Sequence, residues 1–367
     1  MAGVLTAVMP GPGAGVELRE LPEPELERDS ALLAVALSEV CGTDVHLAAG
    51  RLAGVPYPIV PGHVTVGRLE KIRGRLCDVE GRALSEGDAV TFLDVHKTCG
   101  ACWYCLVAKA STRCPARKVY GITYGIEDGL TGGWAQKLYL KPKTRVLPLR
   151  SAGFERFMAG GCGLPTALHG IERAEIGVGQ SVLVLGSGPV GLSLAILARA
   201  VGAGSVLCIG GPRNRLETAR AVGAEVLDIA DADEEGRAAW VHERTGGRGA
   251  DVTIEASGDP RAVVQALRWT RDAGRVVVVG QYTDGGEVAF NPHRDLNQKH
   301  LEVRGCWGSD FSHFHGAVRL MGDPERSAAW GALELERFAL TRAAEALEAV
   351  ARGAVVKALI DPAMDRG

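Results

Sequence analysis

A chain of 367 residues exceeds what one hydrophobic core of ordinary size organises, so its length predicts two domains. Hydrophobic residues at 46% and charged residues at 23% give a soluble, globular balance, and a net charge of -3 excludes a general attraction to nucleic acid or anionic lipid. No run of about 18 apolar residues supports a transmembrane helix. The N-terminus also lacks the basic start and apolar stretch of a signal peptide, so a cytoplasmic protein without membrane or nucleic-acid partners is expected.

The first third reads as short strands broken by Gly and Pro. Ala31–Leu37 is apolar and strand-like, and Pro56, Pro58 and Pro61 punctuate the region beyond it. Gly87-Asp88 is a turn feeding a strand over Ala89–Leu93. No long helical period precedes about residue 155, so an all-β segment is expected. Near residue 160 the character changes. Strand Ser181–Leu185 leads through GSGPVG into a helix over Leu192–Val201. Strand Ser205–Ile209, helix Arg215–Val222, and strands Glu225–Ile229 and Asp251–Glu255 come next. Asp259 is an N-cap candidate with Pro260 at the first helical position, and Arg275–Val279 is a further strand. Strands alternating with helices predict an α/β fold whose doubly wound parallel sheet is covered on both faces. After about residue 308, Thr341 reads as the N-cap of a helix over Arg342–Ala351, and strand Val355–Ile360 ends at Asp361-Pro362. This tail is too short for a domain and is expected to complete the first one. The expected division is 1–163, 164–307 and 308–367.

Gly186, Gly188 and Gly191 form GxGxxG between a strand and a helix, with Pro189 and Val190 inside the motif. The first glycine permits a tight turn, the second admits a pyrophosphate to the backbone, and the third lets helix pack closely on strand. The helix N-terminus then offers free N–H groups to phosphate, so a Rossmann dinucleotide site is expected. The acidic residue that binds the ribose 2′-OH of NAD is expected about 20 residues on. Gly210 stands there, followed by Gly211, and Arg213 and Arg215 are placed to pair with a 2′-phosphate. This leans the cofactor from NAD toward NADP; the alternative is that both arginines are solvated helix residues.

Nine cysteines, an odd number in a long unsecreted chain, argue against a disulfide framework. Four fall on one loop: Cys99, Cys102, Cys105 and Cys114. A four-thiolate set fits structural zinc, whose filled tetrahedral shell leaves no place for substrate. Buried, unligated cysteines are the alternative, and an iron–sulfur cluster fits the rest of the chain poorly. A catalytic zinc needs three protein ligands and an open position. Cys41 in CGTDVH, His63 in PGHV and Cys162 in GGCGLPT are candidates, although spacing alone does not connect them.

CGTDVH, PGHV, the four-cysteine loop, GCGLPT, GSGPVG, EASG at Glu255–Gly258 and RVVVVG occur in one order. That order resembles the zinc-containing medium-chain dehydrogenase/reductase family, the zinc alcohol dehydrogenases, across nearly the whole chain. The resemblance implies a GroES-like β-rich catalytic domain and a Rossmann domain flanking a cleft, with the C-terminal tail rejoining the first domain. It implies one catalytic zinc on Cys41, His63 and Cys162, and one structural zinc on the four-cysteine lobe. It makes Thr43 the hydroxyl that bonds substrate oxygen, His46 the histidine passing the proton to solvent, and Asp44 the carboxylate orienting the ligand histidine. Ser257 of EASG and Gly280 of RVVVVG fall among the cofactor-binding positions. The implied reaction transfers a hydride between a secondary, polyol or cyclic alcohol, or its ketone, and NAD(P), in a homodimer or homotetramer.

Two departures stand out. The gap before Cys114 is one residue longer than the commonest family spacing. Position 64 is Val where the family carries a glutamate close behind the zinc. Two competing readings are a zinc-free quinone or enone reductase of the same superfamily and a non-catalytic cofactor-binding protein. The Cys41, His63, Cys162 set disfavours the first; Thr43 and His46 join that set against the second. Core or interface packing is expected for Trp103, Tyr104 and Trp134, a surface helix for His313 and His315, and a place near the cleft wall for His96.

Overall fold

SALLAVALSEV, residues Ser30–Val40, is buried at both ends and forms the longest strand. Its apolar run suits the centre of a sheet, where both faces are covered. The computed structural model describes residues 3–150 and 152–366. In it, Ser30–Val40 pairs antiparallel with Thr65–Arg73 on one side. On the other side it pairs with Lys137–Leu140 along its first half and with Lys357–Asp361 along its second. Ala89–Phe92, Val146–Pro148 and Leu335–Ala339 complete the seven-stranded sheet. The C-terminal strand therefore lies against the strand that leads into Cys41, with Leu359 opposite Glu39.

Two compact units divide the chain. The first comprises Met1–Cys162, Asp310–Ala328 and Glu334–Gly367; the second comprises Gly163–Ser309 and Ala329–Leu333. The return of Ala329–Leu333 to the second unit has a local cause: Trp330 is buried, and its indole N–H donates to Ser193 Oγ at 3.2 Å.

The second unit is a six-stranded parallel sheet in the order Glu225–Asp228, Ser205–Gly210, Ser181–Leu185, Ala250–Glu255, Thr270–Val278, Glu302–Gly305. This is the doubly wound order, with its reversal beside Ser181–Leu185. Helix Pro260–Trp269 begins where the sequence predicts: Asp259 caps it, accepting from Arg261 N, and Pro260 occupies the first turn. Helix Glu234–Arg244 is capped by Asp233, which accepts from Gly236 N at 2.8 Å. Its apolar signal is faint because only Val241 is buried. The edge strand Glu302–Gly305 is likewise mostly exposed and carries no apolar run.

Other expectations are corrected. The β-rich first third contains a helix, Gly42–Ala48, whose seven residues are too few to show a helical period. Thr341 does not cap the helix Ala343–Ala351; its hydroxyl donates to Asp365 Oδ1 at 2.5 Å. Trp134 is buried, but Trp103 and Tyr104 are 61% and 39% exposed, so neither packs in the core. His313 and His315 do lie on a helix, Phe311–Met321, where His313 Nδ1 accepts from Asp310 N and is half-buried. Among the described residues no helix is long and apolar enough to cross a membrane.

Candidate active site and metal centres

Three elements deliver three potential ligands to one place in the first unit. Cys41 ends strand Ser30–Val40 and opens helix Gly42–Ala48. His63 lies just before strand Thr65–Arg73, and Cys162 follows helix Phe154–Gly160. Adjacent pairing of the two strands brings Cys41 and His63 together despite a separation of 22 positions, and Cys41 Sγ lies 3.8 Å from His63 Nε2. With Cys162 Sγ, the three donor atoms all lie within 4.8 Å of one another. Around zinc, sulfur at about 2.3 Å and nitrogen at about 2.0 Å in a tetrahedron are separated by roughly 3.5–3.8 Å, so this donor set fits a metal ion.

The electrostatics agree. Contact with the Cys162 thiol, against the cost of burial and with help from His63, draws the Cys41 thiol well below its usual pKa. The same contact and burial push Cys162 well above its own. Burial works against a charged His63, yet the Cys41 thiolate, with Asp44 and Asp94, holds its pKa up at about 10. These shifts favour negative charge on Cys41, the form in which it would ligate a divalent cation, and such binding would displace the His63 proton.

Thr43, Asp44 and His46 all lie on helix Gly42–Ala48. Thr43 and His46 are three apart and therefore share a face; both are half-buried. Burial, then Arg51, lowers the pKa of His46, which favours the neutral ring. Asp44 is buried, and its Oδ2 accepts from Cys41 N at 2.8 Å. Among the described residues no hydrogen bond joins Asp44 to His63 Nδ1, so the carboxylate is bonded to the Cys41 backbone and not to the histidine.

Behind Cys162 lies a pair that sequence reasoning overlooked. Glu39 and Lys357 are both buried and pair at 2.7 Å. Glu39 Oε2 accepts from Cys162 N at 2.7 Å, and Lys357 Nζ donates to Gly160 O at 3.3 Å. Gly161 has φ +48°, and any Cβ there would collide with both the carboxylate and the ammonium. The available signal was a charge inside each of two apolar strands, SEV and VVKALI.

The four-cysteine loop forms a second cluster, with all four ligand atoms within 4.8 Å. Sulfur–sulfur distances are 3.6 Å for Cys99–Cys114 and for Cys102–Cys105, close to the edge of a zinc tetrahedron. Bonds from Ala101 N, with the neighbouring Cys102, lower Cys99 to about 6. The short turn Ser111–Arg113 leads into Cys114, and Ser111 Oγ donates to Asp310.

In the second unit the glycine loop follows strand Ser181–Leu185 and leads into helix Pro189–Ala200, which has no side-chain cap. Gly186 has φ +116°. A Cβ at Gly191 would strike Gly186 O, whereas one at Gly188 would meet open space. The first glycine thus serves the turn and the third serves packing, while the second leaves the backbone accessible. Pro189 and Val190 begin the helix. Ser257 and Gly280 lie elsewhere on this sheet edge, but their donors are committed. Glu255, buried, accepts from Ser257 N at 2.7 Å, Ser257 Oγ at 2.9 Å and Gly280 N at 3.2 Å. These two residues therefore build the loop through Glu255, a carboxylate given no role from sequence.

At Gly210 a Cβ would lie 2.5 Å from Ser187 Oγ. Ser187 Oγ accepts from Gly211 N at 2.9 Å and donates to Gly211 O at 3.0 Å. Arg213 pairs with Asp231 at 3.3 Å and reaches Asp228 at 3.8 Å, while Arg215 is half-buried. His96 Nε2 donates to Pro142 O at 2.9 Å, and His96 Nδ1 shares a hydrogen bond with Tyr124 OH at 2.5 Å.

Residues 27–151 match the alcohol dehydrogenase GroES-like domain, and residues 189–323 match the zinc-binding dehydrogenase family. The 5-exo-hydroxycamphor dehydrogenase of Pseudomonas putida is 33% identical over 355 residues, 94% of this chain and 95% of that protein. An alcohol dehydrogenase from Thermotoga maritima has a similar structure, with a TM-score of 0.91 and 30% identity, covering 98% of this chain and all of the other. A zinc-binding dehydrogenase from Sinorhizobium meliloti, solved bound to NADP, gives 0.82 and 25% identity over 99% of this chain and 100% of that one.

Proposed function

The chain is a member of the zinc-containing medium-chain dehydrogenase/reductase family, and from that premise we propose that it interconverts an alcohol and its carbonyl compound with NAD(P), using a zinc ion on Cys41, His63 and Cys162. The convergence of those three donor atoms carries the reading. A secondary or cyclic alcohol is the preferred substrate class, since the Pseudomonas relative is named for one. A second zinc on Cys99, Cys102, Cys105 and Cys114 has a structural role. NADP is preferred over NAD: Gly210 places no carboxylate at the ribose, Arg213 and Arg215 stand nearby, and the Sinorhizobium structure holds NADP.

When bound, zinc supplies Lewis-acid polarisation of the substrate oxygen. The chain's own residues do the rest. Cys41 and Cys162 contribute negative charge, and His63 completes the set through Nε2. Thr43 Oγ1 would take the proton of the substrate hydroxyl while passing its own hydroxyl proton on toward His46, whose neutral, proton-accepting ring is favoured by burial. Gly186, Gly188 and Gly191 shape the loop that takes the pyrophosphate, so that the nicotinamide is bound in a fixed register.

The test is metal content and turnover together. Elemental analysis of the wild type should give two zinc ions per chain, and a panel of secondary, polyol and cyclic alcohols should yield reduced nicotinamide. Cys41→Ser and His63→Ala should each leave one zinc, retain dinucleotide binding and abolish turnover. Full activity in either variant would sink the proposal.

A further inference from the structure

Position 64 is apolar and buried, yet the fold brings a carboxylate to its neighbourhood from the adjacent strand. Glu39 N donates to Val64 O at 2.9 Å, so the two residues face each other across the Ser30–Val40 and Thr65–Arg73 pairing. The Glu39 side chain is 1% exposed and Lys357 is fully enclosed. A buried ion pair is weak evidence for stability, because desolvation offsets most of its attraction. Its retention calls for another reason, and the geometry offers one. The second carboxylate oxygen accepts from the backbone N–H of Cys162, and the ammonium reaches Gly160 O, one residue before Gly161. Both charges therefore grip the Gly160–Cys162 turn from behind. Gly161, with φ +48°, has no Cβ that would prevent the approach. Trp134 Nε1 donates to Glu39 O at 3.3 Å and fixes the backbone on which the carboxylate rides.

We propose that Glu39, balanced by Lys357, is a positioning residue for the Cys162 ligand, and that it supplies from the neighbouring strand the carboxylate that position 64 lacks. This rests on the reading of Cys41, His63 and Cys162 as a zinc site. The pair sets how firmly the metal is retained by aiming the Cys162 thiolate, and it contributes no atom to the reaction itself. Ligand-supporting groups of this kind typically change metal retention by about 10- to 100-fold.

The experiment compares the wild type, Glu39→Leu/Lys357→Met and Glu39→Val/Val64→Glu as holoenzymes. Replacing the whole pair with apolar side chains avoids stranding one buried charge, so the fold is retained. Release of the labile zinc to a chromogenic chelator should be about 10- to 100-fold faster in the apolar variant. Its cobalt-substituted form should show shifted d–d bands, while its thermal midpoint stays near wild type. The swap, which moves the carboxylate from Glu39 to position 64 across the strand pairing, should restore slow release and the wild-type spectrum. Wild-type release and spectrum in the apolar variant would overturn the proposal, as would a swap that behaves like the apolar variant. A wild type holding only the four-cysteine zinc would instead overturn the underlying site, and the zinc count distinguishes the two failures.

Discussion

Gly210 shows how one missing side chain decides chemistry at the residue scale. A carboxylate installed there would displace Ser187, whose hydroxyl is held at 2.9 Å and 3.0 Å by Gly211. The simple Gly210→Asp exchange therefore disturbs the loop as well as the ribose contact, and the arginines make the cleaner test. Arg213 is 71% exposed and pairs with Asp231, so a 2′-phosphate would compete with a solvent-screened partner. In the proposed preference for NADP, Arg213→Ala and Arg215→Ala each lower kcat/KM for NADP relative to NAD by about 10- to 100-fold, the worth of a charge-assisted bond. Steady-state kinetics with both cofactors measures the ratio, and an unchanged ratio in both variants would remove the preference. Position 64 teaches a similar lesson: a residue's absence is read correctly only with the strand beside it in view.

At the scale of elements, most βα units of the second unit were legible because their strands carry short apolar stretches, such as Val182–Leu185, Val206–Ile209 and Val276–Val278, beside glycine turns or a capping acid. Helix Glu234–Arg244 was not, since its exposed faces dilute the period to one buried residue. The segment after Asn291 is held in another way. Asp295 is buried and accepts from Arg294 Nε at 3.0 Å and from Asn291 N at 2.9 Å, with Arg268 at 3.5 Å. The Arg294 bond, against burial, lowers its pKa to about 2. A depressed folded-state pKa means the stabilisation is complete above the unfolded value of about 3.9 and disappears as pH falls toward about 2. Asp295→Asn should cost about 1.5–3 kcal/mol above about pH 4, with the gap from wild type closing on acidification. Urea midpoints across that window check it; a gap that does not depend on pH would mean the charge is irrelevant.

At the scale of the whole molecule, the four-cysteine lobe stands apart from the packed cores. Of residues 99–114 only Cys114 is buried, while Trp103, Leu106 and Val107 are more than 60% exposed. Little apolar burial holds this loop, so the proposed structural zinc carries its folding free energy. Cys102→Ser should lower the zinc content by one per chain and open the loop to proteolysis, while dinucleotide binding by the second unit persists. Mass analysis of the cleavage sites and elemental analysis test this together. A protease-resistant lobe without metal would show that other contacts, such as Ser111 with Asp310, suffice.

The sequence by itself determined the alternation of strands and helices in most of the second unit, its glycine loop and the four-cysteine lobe, because each depends on residues close together along the chain. It also determined the resemblance that linked Cys41, His63 and Cys162. Only the tertiary structure brought those three atoms within 4.8 Å of one another and placed Glu39 and Lys357, from opposite ends of the chain, in one buried pair behind Cys162. Such contacts arise from strand register: Lys357–Asp361 pairs with Ser30–Val40, and no local pattern records which distant strand a segment will join.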